Sequence, residues 1–437
     1  MLKVYNTMDR DKVPFHPERE GRVSMYVCGP TTYNYIHIGN ARPMVAFDAI
    51  RKYLIYRGFE VTYVQNFTDI DDKIIQKAKD EHDEPLALAE RYIEEYKKDA
   101  RALGVREADM HPRVSRHMDD ILDMVRTLQE KGYAYEVDGN VYFDVRSFPD
   151  YGKLSRRDLD ELKSGARVDV DSEKKDPLDF ALWKRAKPGE PSWESPWGTG
   201  RPGWHIECSA MSLKYVGPTF DIHGGGYDLI FPHHENEIAQ SEGYTGKTFA
   251  NYWLHNGFIT VNEEKMSKSV GNFFLVREVL EKFPGEVVRF FLLGTHYRSP
   301  LDFSDAKLAE DQKALAKLQN TWNRLRDATE SIDGANGPDD LMDGFRRRIE
   351  EAMDDDFNTA RAIGVLFDSI RKINRWIDED EQSGGAGNKE AIAAETNQVE
   401  ILGNNGETLA HWSGRKSEIA EELITWLLQS TGSRSSV

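Results

Sequence analysis

The sequence predicts an α/β protein, in which a parallel-sheet domain is split by an α/β insertion and followed by a C-terminal α-helical bundle. Three observations predict this fold. Two β-rich segments flank a helical segment near the start, the composition changes over residues 140–200, and the pattern is helical from about residue 306 onward. A chain of 437 residues is also long enough for about three domains.

The start of the chain predicts a strand, a helix and a second strand. Val23–Cys28 is β-rich, Ala41–Tyr56 has apolar residues at helical spacing, and Val61–Gln65 is again β-rich. Two strands joined by a helix form a right-handed βαβ crossover, so we expect a parallel, Rossmann-like sheet. Ligands of such sheets lie beyond the carboxyl ends of the strands, where residues 28–42 and 66–73 are unusually polar.

The rest of the chain alternates between helical and sheet-like patterns. An insertion rich in turns, proline and tryptophan interrupts the sheet, and a long helical region follows it. We expect helices over 74–135, the insertion over 140–200, sheet over 221–231 and 249–261, and helices from 306 to the end, including Glu418–Leu428, with polar breaks at 331–340 and 378–390.

Composition excludes several classes of protein. The chain has 57 Lys and Arg against 75 Asp and Glu, for a formal charge of −18, and 11% of its residues are aromatic. This excludes a disordered chain and argues against nucleic-acid binding over the whole surface, although a local basic groove stays compatible with it. No apolar run approaches the ~18 residues of a membrane span, and no secretory segment is visible. We therefore expect a cytoplasmic protein that contacts no membrane.

The first motif lies where a polar loop meets a helix. His37, Gly39 and Asn40 follow the first predicted strand, and the helix is expected to begin near Asn40. A helix N-terminus presents free N–H groups and partial positive charge, which suit a phosphate. Gly39 lets a nucleotide approach the backbone closely. Taken alone, so short a motif is more often ordinary loop sequence.

The second motif is Lys265-Met266-Ser267-Lys268-Ser269. Two lysines bracket hydroxyl groups, and such a loop can clamp a polyphosphate. The alternative interpretation is a solvated basic loop.

The two cysteines are too few for a disulfide framework in a reducing compartment. Isolated thiols are most often small buried apolar residues. Here, however, Cys28 ends the first predicted strand, and Cys208 lies in the segment Gly-Trp-His-Ile-Glu-Cys. The setting makes a metal-binding role worth considering.

Two further residues complete a metal-binding donor set. His233 and Glu237 are four residues apart, so they lie on one face of a helix. Two thiolates, an imidazole and a carboxylate suit Zn²⁺. The spacing is scattered, so the neighbouring His234 and Glu235 stay open as alternatives.

The two loop motifs together resemble the class I aminoacyl-tRNA synthetases, in which they bind one ATP from opposite sides. Longer segments narrow this to the cysteinyl-tRNA synthetase family, which the chain resembles from residue 1 to about 375. The segments are CGPTTYNYIHIGNAR (28–42), FTDIDDK (67–73), YGKLSRR (151–157), GRPGWHIECSAM (200–211), DIHGGGYDLIFPHHENEIAQS (221–241) and EKMSKSVGNFF (264–274).

The resemblance implies ATP-dependent ligation of L-cysteine to tRNA(Cys) through a cysteinyl-adenylate, with Mg²⁺ on the polyphosphate. It implies one zinc ion per chain, which binds the thiolate of the substrate. The implied zinc ligands are Cys28, Cys208, His233 and Glu237; the catalytic residues are His37, Asn40, Lys265 and Lys268; the nucleotide-binding residues are Thr31, His37, Gly39, Asn40, Asp228 and Lys268; the substrate-binding residues are Gly29, Thr68, Trp204 and His223.

Zinc also suggests how the enzyme distinguishes cysteine from serine. A pocket alone discriminates poorly between near-isosteres, whereas zinc favours thiolate sulfur and lowers the pKa of a thiol. No editing domain is then required. For Trp204 and His223, the alternatives of a packing aromatic and a structural histidine stay open.

The resemblance also implies a domain organisation. We expect a monomer whose helical region contacts the anticodon side of tRNA but ends in an atypical, shortened tail after about residue 380. The expected segments are 1–120 (first half of the Rossmann-like catalytic domain), 121–200 (connective insertion), 201–260 (second half, with the zinc site), 261–305 (KMSKS loop and stem-contact region) and 306–437 (helical bundle).

Two rival functions stay open at this point. One is a mycothiol-type ligase that joins cysteine to an amino-sugar acceptor. The other is a non-catalytic paralogue that binds zinc or nucleotide. The acceptor of cysteine separates the three possibilities.

Overall fold

The described residues form an α/β structure that contains two four-stranded sheets. The computed structural model describes residues 1–158, 173–261, 264–265, 273–330, 339–382, 397–402 and 408–414. The first elements are β1 (Lys3–Asn6), β2 (Asp11–Pro14), β3 (Arg22–Val27), α1 (Ile38–Tyr56), β4 (Glu60–Gln65), α2 (Asp72–Glu81), α3 (Pro85–Ala102), α4 (Met118–Glu130), β5 (Ala134–Val137), β6 (Asn140–Phe143), β7 (Phe180–Arg185) and β8 (Gly200–Pro202). The next are α5 (Trp204–Val216), β9 (Phe220–Gly226), α6 (Glu235–Thr245), β10 (Ala250–Asn256), β11 (Ile259–Val261), β12 (Glu264–Lys265), α7 (Val276–Leu280), α8 (Gly285–Leu293), β13 (Leu301–Asp302), α9 (Asp305–Glu330), α10 (Asp339–Met353), α11 (Thr359–Gln382), β14 (Asn397–Leu402) and β15 (Thr408–Gly414).

The first sheet is parallel throughout, with strand order β10-β9-β3-β4. The predicted β3–α1–β4 unit is confirmed, with Met25 opposite Tyr63. Helix α1 begins at Ile38, slightly before the expected start near Asn40. The successive residues Met25, Tyr26 and Val27 of β3 are all buried, so both faces of the sheet are covered at the end of this strand.

The second sheet is antiparallel, with strand order β5-β6-β7-β8. It lies between β4 and β9 in the sequence, so it interrupts the parallel sheet as the composition predicted. The insertion is confirmed, while its expected boundaries at residues 120 and 200 stay predictions.

Helices α9, α10 and α11 follow the sheets and confirm the predicted helical region as far as residue 382. Ala362, Val365 and Leu366 of α11 are buried in the same core as Phe47 of α1. Burying an apolar side chain of this size contributes about 1.5–3 kcal/mol, so α11 is held firmly against the sheet domain.

The expectation of helix to the end of the chain is wrong for a hairpin near the C-terminus. Strands β14 and β15 pair antiparallel, with Asn397 opposite Gly414. Val399 and Ile401 alternate with polar residues, which is the period of a strand rather than a helix. The expected helix Glu418–Leu428 lies outside the described residues.

The structure also differs from the expectations for two shorter segments. Residues 103–117 separate α3 from α4 and contain only the short 3₁₀ turn Val114–Arg116, so the helical region expected over 74–135 is interrupted. The sheet expected over 221–231 ends at Gly226, and short helical turns follow it. Among the described helices, none has the length and apolar character needed to cross a membrane.

Candidate active site and metal centre

A cavity of about 390 Å³ opens at the carboxyl edge of the parallel sheet. Residues that closely follow the strands line it: Cys28 after β3, Thr68 after β4, Asp228 after β9 and Gly257 after β10. The connections reverse direction between β3 and β9, so the cavity lies at the topological switch point, where α/β sheets bind ligands. This is the edge at which the sequence predicted ligand binding.

Gly29 brings the loops after β3 and β4 into contact. A Cβ at this position would lie 1.6 Å from the main-chain oxygen of Asn66, so a larger residue does not fit. The Gly29 N–H donates to Asn66 Oδ1 at 2.9 Å, and Thr31 forms a parallel bridge with Thr68. Gly29, Thr31 and Thr68 all reach the cavity wall as a result.

His37 is the N-cap of α1. Its Nδ1 accepts from the Asn40 main-chain N–H at 3.2 Å, and the Asn40 side chain accepts from the His37 N–H at 3.2 Å. Because Nδ1 is an acceptor, the proton of the neutral ring lies on Nε2. His37, Gly39 and Asn40 line the cavity, so the positive end of the α1 dipole faces it.

One of the two described flanks of the second sequence motif lies near this helix end. Lys265 pairs with Thr260 in the β11–β12 hairpin, and the ring centroids of His37 and Phe273 are 4.6 Å apart. Phe273 also lines the cavity. Lys268 lies outside the described residues, so its role stays a prediction.

The four residues expected to bind zinc converge beside the cavity. Their donor atoms all lie within 4.8 Å of one another. Cys28 Sγ is 3.7 Å from Cys208 Sγ and 3.4 Å from Glu237 Oε1, and His233 Nε2 is 3.0 Å from Glu237 Oε1. Cys28 follows β3, Cys208 lies on α5, and the other two lie at the start of α6, so packing on the sheet brings them together.

This donor set fits zinc. With Zn–S bonds of about 2.3 Å, two thiolates of a tetrahedral site lie about 3.8 Å apart, close to the spacing of Cys28 and Cys208. Thiolate and imidazole ligands are those that zinc prefers, and magnesium and calcium do not.

The pKa values of the four side chains are shifted in different directions. A hydrogen bond with Cys28, helped by His233, lowers the pKa of Cys208 to about 6, whereas burial raises the pKa of Cys28 well above its usual value. Burial disfavours imidazolium at His233, but Glu237 and Cys208 outweigh it and raise the pKa of His233 to about 10. Burial also opposes ionisation of Glu237, yet His223 and His233 hold its pKa well below the usual range. The cluster is therefore built to hold positive charge, and a divalent cation that binds there releases protons.

A second donor set overlaps the first. Cys28, His223, His234 and Glu237 also have donor atoms within 4.8 Å of one another. Cys28, Cys208 and His233 line the cavity, whereas His223 and His234 are fully buried and are not part of its wall. A catalytic zinc must be accessible to the substrate. Three residues of the first set line the cavity, so the first set is the one suited to catalysis.

His223 lies behind the carboxylate of Glu237 rather than over the substrate cavity. Its Nε2 is 2.8 Å from Glu237 Oε2, and its ring stacks on Trp253 with centroids 4.6 Å apart. This differs from the expectation that His223 closes over the substrate. Its contacts fit a role in orienting Glu237.

Trp204 and Asp228 lie at the mouth of the cavity. Trp204 is 40% exposed, and its ring centroid lies 4.3 Å from that of His233. A Cβ on Gly226 would lie 2.5 Å from Asp228 Oδ1, so glycine makes room for this carboxylate. Both side chains reach the cavity, as substrate and ribose contacts require.

Sequence reasoning missed the histidines that support the metal ligands. His205 Nδ1 lies 2.9 Å from His233 Nδ1, which leaves Nε2 of His233 directed at Glu237. His255 Nε2 lies 2.8 Å from Nδ1 of His234, which belongs to the second donor set. Such contacts to a ligand's second nitrogen fix its tautomer. In the sequence, the adjacency of His205 to Trp204 was the one indication that His205 lies near the metal centre.

Comparison with known proteins identifies the class. Residues 14–313 match the class I (C) catalytic domain of tRNA synthetases, and residues 348–405 match the DALR domain. Together with the parallel sheet and its cavity, these matches define a class I aminoacyl-tRNA synthetase. The chain is 65% identical over 377 residues to the cysteine–tRNA ligase of Carboxydothermus hydrogenoformans, across 86% of this chain and 81% of that relative. It belongs to the cysteinyl-tRNA synthetase family.

Two further comparisons each cover most of the chain. The cysteine–tRNA ligase of Moorella thermoacetica is 54% identical over 437 residues, across 98% of this chain and 90% of that relative. The structure of Mycobacterium tuberculosis methionyl-tRNA synthetase in complex with methionyl-adenylate has a TM-score of 0.66 at 16% identity, across 85% of this chain and 88% of that one. The similarity to the methionyl-tRNA synthetase structure shows the fold alone.

The comparisons correct the expectation that the family resemblance ends near residue 375. The DALR match extends to residue 405, and the Moorella relative aligns with nearly the entire chain. The Carboxydothermus relative aligns with 86% of this chain, and the expected atypical, shortened tail stays a prediction.

Proposed function

We propose that this chain joins L-cysteine to tRNA(Cys) in an ATP-dependent reaction, with one zinc ion held by Cys28, Cys208, His233 and Glu237. The observation that carries the proposal is the convergence of these donors beside the cavity that His37 and Asn40 also line. When bound, the metal supplies a soft Lewis acid that favours the substrate's thiolate over a hydroxyl.

In the proposed first step, the cysteine carboxylate attacks the α-phosphorus of ATP and pyrophosphate leaves. The N-terminus of α1, with Gly39 and Asn40, receives the phosphates, and Nε2–H of His37 donates to them. Lys265 and Lys268 add positive charge from the opposite side, and Mg²⁺ accompanies the polyphosphate. These groups position and stabilise charge rather than form covalent bonds.

The remaining residues orient the reactants. Asp228 accepts from the ribose hydroxyls of ATP, as acidic residues do in related nucleotide sites. Trp204 covers the amino acid at the cavity mouth, and Gly29 and Thr31 line the wall next to it. In the second step, a terminal ribose hydroxyl of tRNA attacks the carbonyl of the adenylate, and AMP leaves.

The helical region would contact the anticodon side of tRNA, and we retain the five proposed segments as the domain organisation. The expected monomer is retained as part of the proposal. A role in protein synthesis fits a cytoplasmic location.

The experiment that tests the proposal compares acceptors. Purified protein is given ATP and radiolabelled cysteine with tRNA(Cys), with a tRNA for another amino acid, or with an amino-sugar pseudodisaccharide. We expect labelled cysteine only on tRNA(Cys). Ligation to the amino sugar, or no ligation to any acceptor, would contradict the proposal.

A further inference from the structure

Lys73 is the only lysine or arginine among the described residues that line the cavity. It lies in the first turn of α2 with an exposed side chain, and its Nζ lies 5.7 Å from the centroid of the Tyr33 ring. The neighbouring Asp72 pairs with Lys184 and Arg201 instead, so within the described part of the chain the Lys73 side chain has no carboxylate partner. An exposed cation–π contact contributes only ~0.5–1 kcal/mol, so the charge of Lys73 is available to a ligand.

Tyr33 places an aromatic ring beside this charge. The side chain is half-buried, and it packs on an apolar cluster that joins α2 to α3 through Ile74 and Leu88. Tyr33 also lines the cavity. A supported aromatic ring next to a lysine suits a nucleotide of a single strand, because the base stacks on the ring and the cation pairs with the phosphate.

The order of the strands separates this pair from the nucleotide region of the proposed function. In the sheet order β10-β9-β3-β4, Gly257 follows β10 and Asp228 follows β9, whereas Lys73 follows β4 at the opposite edge. Cys28 follows β3, between the two. A ligand held by Lys73 therefore approaches the amino acid from the side away from the ribose of ATP.

The helix turn that carries Lys73 is anchored to the inserted sheet. Asp72 accepts from Lys184 Nζ of β7 at 2.9 Å and pairs with Arg201 of β8, which is buried. Lys73 and Tyr33 thus stand on a fixed support before any ligand arrives, which lowers the entropy cost of binding.

We infer that Lys73 and Tyr33 bind the unpaired 3′ end of tRNA. Lys73 pairs with a phosphate of the last three nucleotides, and Tyr33 stacks with one of their bases. The second step of the proposed reaction needs the terminal ribose beside the carbonyl of the adenylate, so the single strand has to enter the cavity next to the amino acid. The inference rests on the proposed function, because tRNA is the acceptor in that reaction.

The test compares two RNAs that differ only at this end. Filter binding at several salt concentrations gives the affinity of Lys73→Ala for tRNA(Cys) and for the same tRNA without its last three nucleotides. Loss of one charged contact should weaken binding of the intact tRNA by about 10-fold. The slope of log affinity against log salt should become shallower by about 0.7, the value for one phosphate of a single strand. Affinity for the shortened tRNA should stay within about 2-fold of that of the wild-type protein.

Three further variants make the result specific. Lys73→Arg retains the charge and should bind the intact tRNA nearly as the wild-type protein does. Tyr33→Leu should weaken binding of the intact tRNA without changing the salt slope, because a stacking contact releases no counterion. Lys79→Ala is the matched control, since Lys79 is an exposed lysine in the last turn of the same helix, outside the cavity wall. Its affinity for both RNAs should not change.

The inference is overturned if Lys73→Ala binds the intact tRNA with unchanged affinity and salt slope, or if it weakens both RNAs equally. An equal loss in Lys79→Ala would overturn it as well. A fall in ATP–pyrophosphate exchange as large as the loss of tRNA affinity would assign Lys73 to the phosphates of ATP and reject the inference. If the wild-type protein did not charge tRNA(Cys), the proposed function would fail instead. The binding comparison of the two RNAs needs no catalysis and still decides the inference in that case.

Discussion

The metal centre joins residues that the sequence keeps far apart. Cys28 and Cys208 are 180 positions apart, yet their sulfurs are 3.7 Å from each other. Their spacing has no metal-binding pattern, so the residues alone left His234 open as a ligand, and the family resemblance supplied the set. Cavity geometry now favours His233, because His234 is buried behind the wall.

The zinc assignment predicts the effect of Cys208→Ser. A serine hydroxyl stays protonated at neutral pH and is a poor zinc ligand, so zinc should fall from about one ion per chain to near zero after dialysis. Atomic absorption measures the content. Ser212→Ala on the same helix is the control and should retain zinc, since Ser212 bonds only to the α5 main chain. Full zinc content in Cys208→Ser would remove Cys208 from the site.

The proposed role of Lys268 predicts a kinetic effect without loss of metal. Lys268→Ala should slow cysteine-dependent ATP–pyrophosphate exchange by about 10²-fold or more, because a contact to transition-state charge is lost. Lys247→Ala removes an exposed lysine in the turn before β10 and should leave exchange unchanged. Normal exchange in Lys268→Ala would exclude the residue from the mechanism.

Some site residues had no sequence signal because tertiary contact alone gives them their role. His205 in a helix is indistinguishable from a solvated histidine until α5 packs on the sheet and places its Nδ1 2.9 Å from that of His233. His223 looked like a substrate contact, but its position on β9 directs it at Glu237. By contrast, the motif at His37 was recognisable because it occurs together with Lys265–Ser269, although its capping contact with Asn40 became visible only in the structure.

At the level of elements, a buried ion pair joins α1 to α8. Arg289 Nη2 lies 2.5 Å from Asp48 Oδ2, and Lys52 Nζ lies 3.0 Å from the same oxygen. Burial alone would raise the pKa of Asp48, but the charges of Arg289 and Lys52 outweigh it and lower that pKa. The packing of these helices thus depends on an ionised carboxylate.

Removal of one partner predicts a loss of stability. Arg289→Met leaves Asp48 buried with only part of its compensation, so the free energy of unfolding should fall by about 3 kcal/mol at pH 7. Because the folded-state pKa of Asp48 is lowered, its contribution to stability is fully present above the ordinary aspartate pKa and is lost as pH falls from that value through the lower folded-state pKa. The difference between variant and wild type should therefore shrink below about pH 4.

Urea unfolding at pH 7 and at a pH below about 4 measures the free-energy difference between the variant and the wild type. Arg371→Met is the control, because Arg371 is 74% exposed and pairs with Asp368 on the same helix. Its unfolding midpoint should not move measurably. An equal loss in both variants, or a difference that grows at low pH, would contradict the role assigned to Asp48.

Local pattern explains which elements the sequence predicted. Strand β3 is β-rich and helix α1 has apolar residues at helical spacing, so both were found within a few residues. The hairpin of β14 and β15 was missed although Val399 and Ile401 alternate with polar residues, since a short strand carries little periodic signal beside long helices.

At the scale of the whole molecule, the turn before α11 ties the helical region to the sheet domain. Asp356 is fully buried; it accepts from the Tyr5 main-chain N–H at 2.8 Å, the Tyr297 hydroxyl at 2.9 Å and Arg298 Nε at 2.6 Å. Helix α11 is therefore part of the rigid core. The position of the insertion and the helical region followed from composition, whereas these long-range contacts did not.

This organisation predicts the effect of removing the residues after Gly385. The core retains α11, and all four expected zinc ligands precede residue 238, so ATP–pyrophosphate exchange should stay near the wild-type rate. Charging of tRNA(Cys) should fall by more than about 10-fold, because the truncation removes the last part of the C-terminal region proposed to contact the anticodon side, including β14 and β15. Truncation that lowers both activities equally would exclude a tRNA-specific role for the C-terminal segment.

The central claim is that the Cys28, Cys208, His233 and Glu237 centre takes the substrate's sulfur as its next ligand. Titration of cobalt-substituted protein with amino acids, followed by absorption spectroscopy, tests it most directly. Cysteine should intensify the sulfur-to-cobalt charge-transfer band and saturate at one equivalent per chain, while serine should leave the spectrum unchanged. No change with cysteine, or an equal change with serine, would contradict the claim.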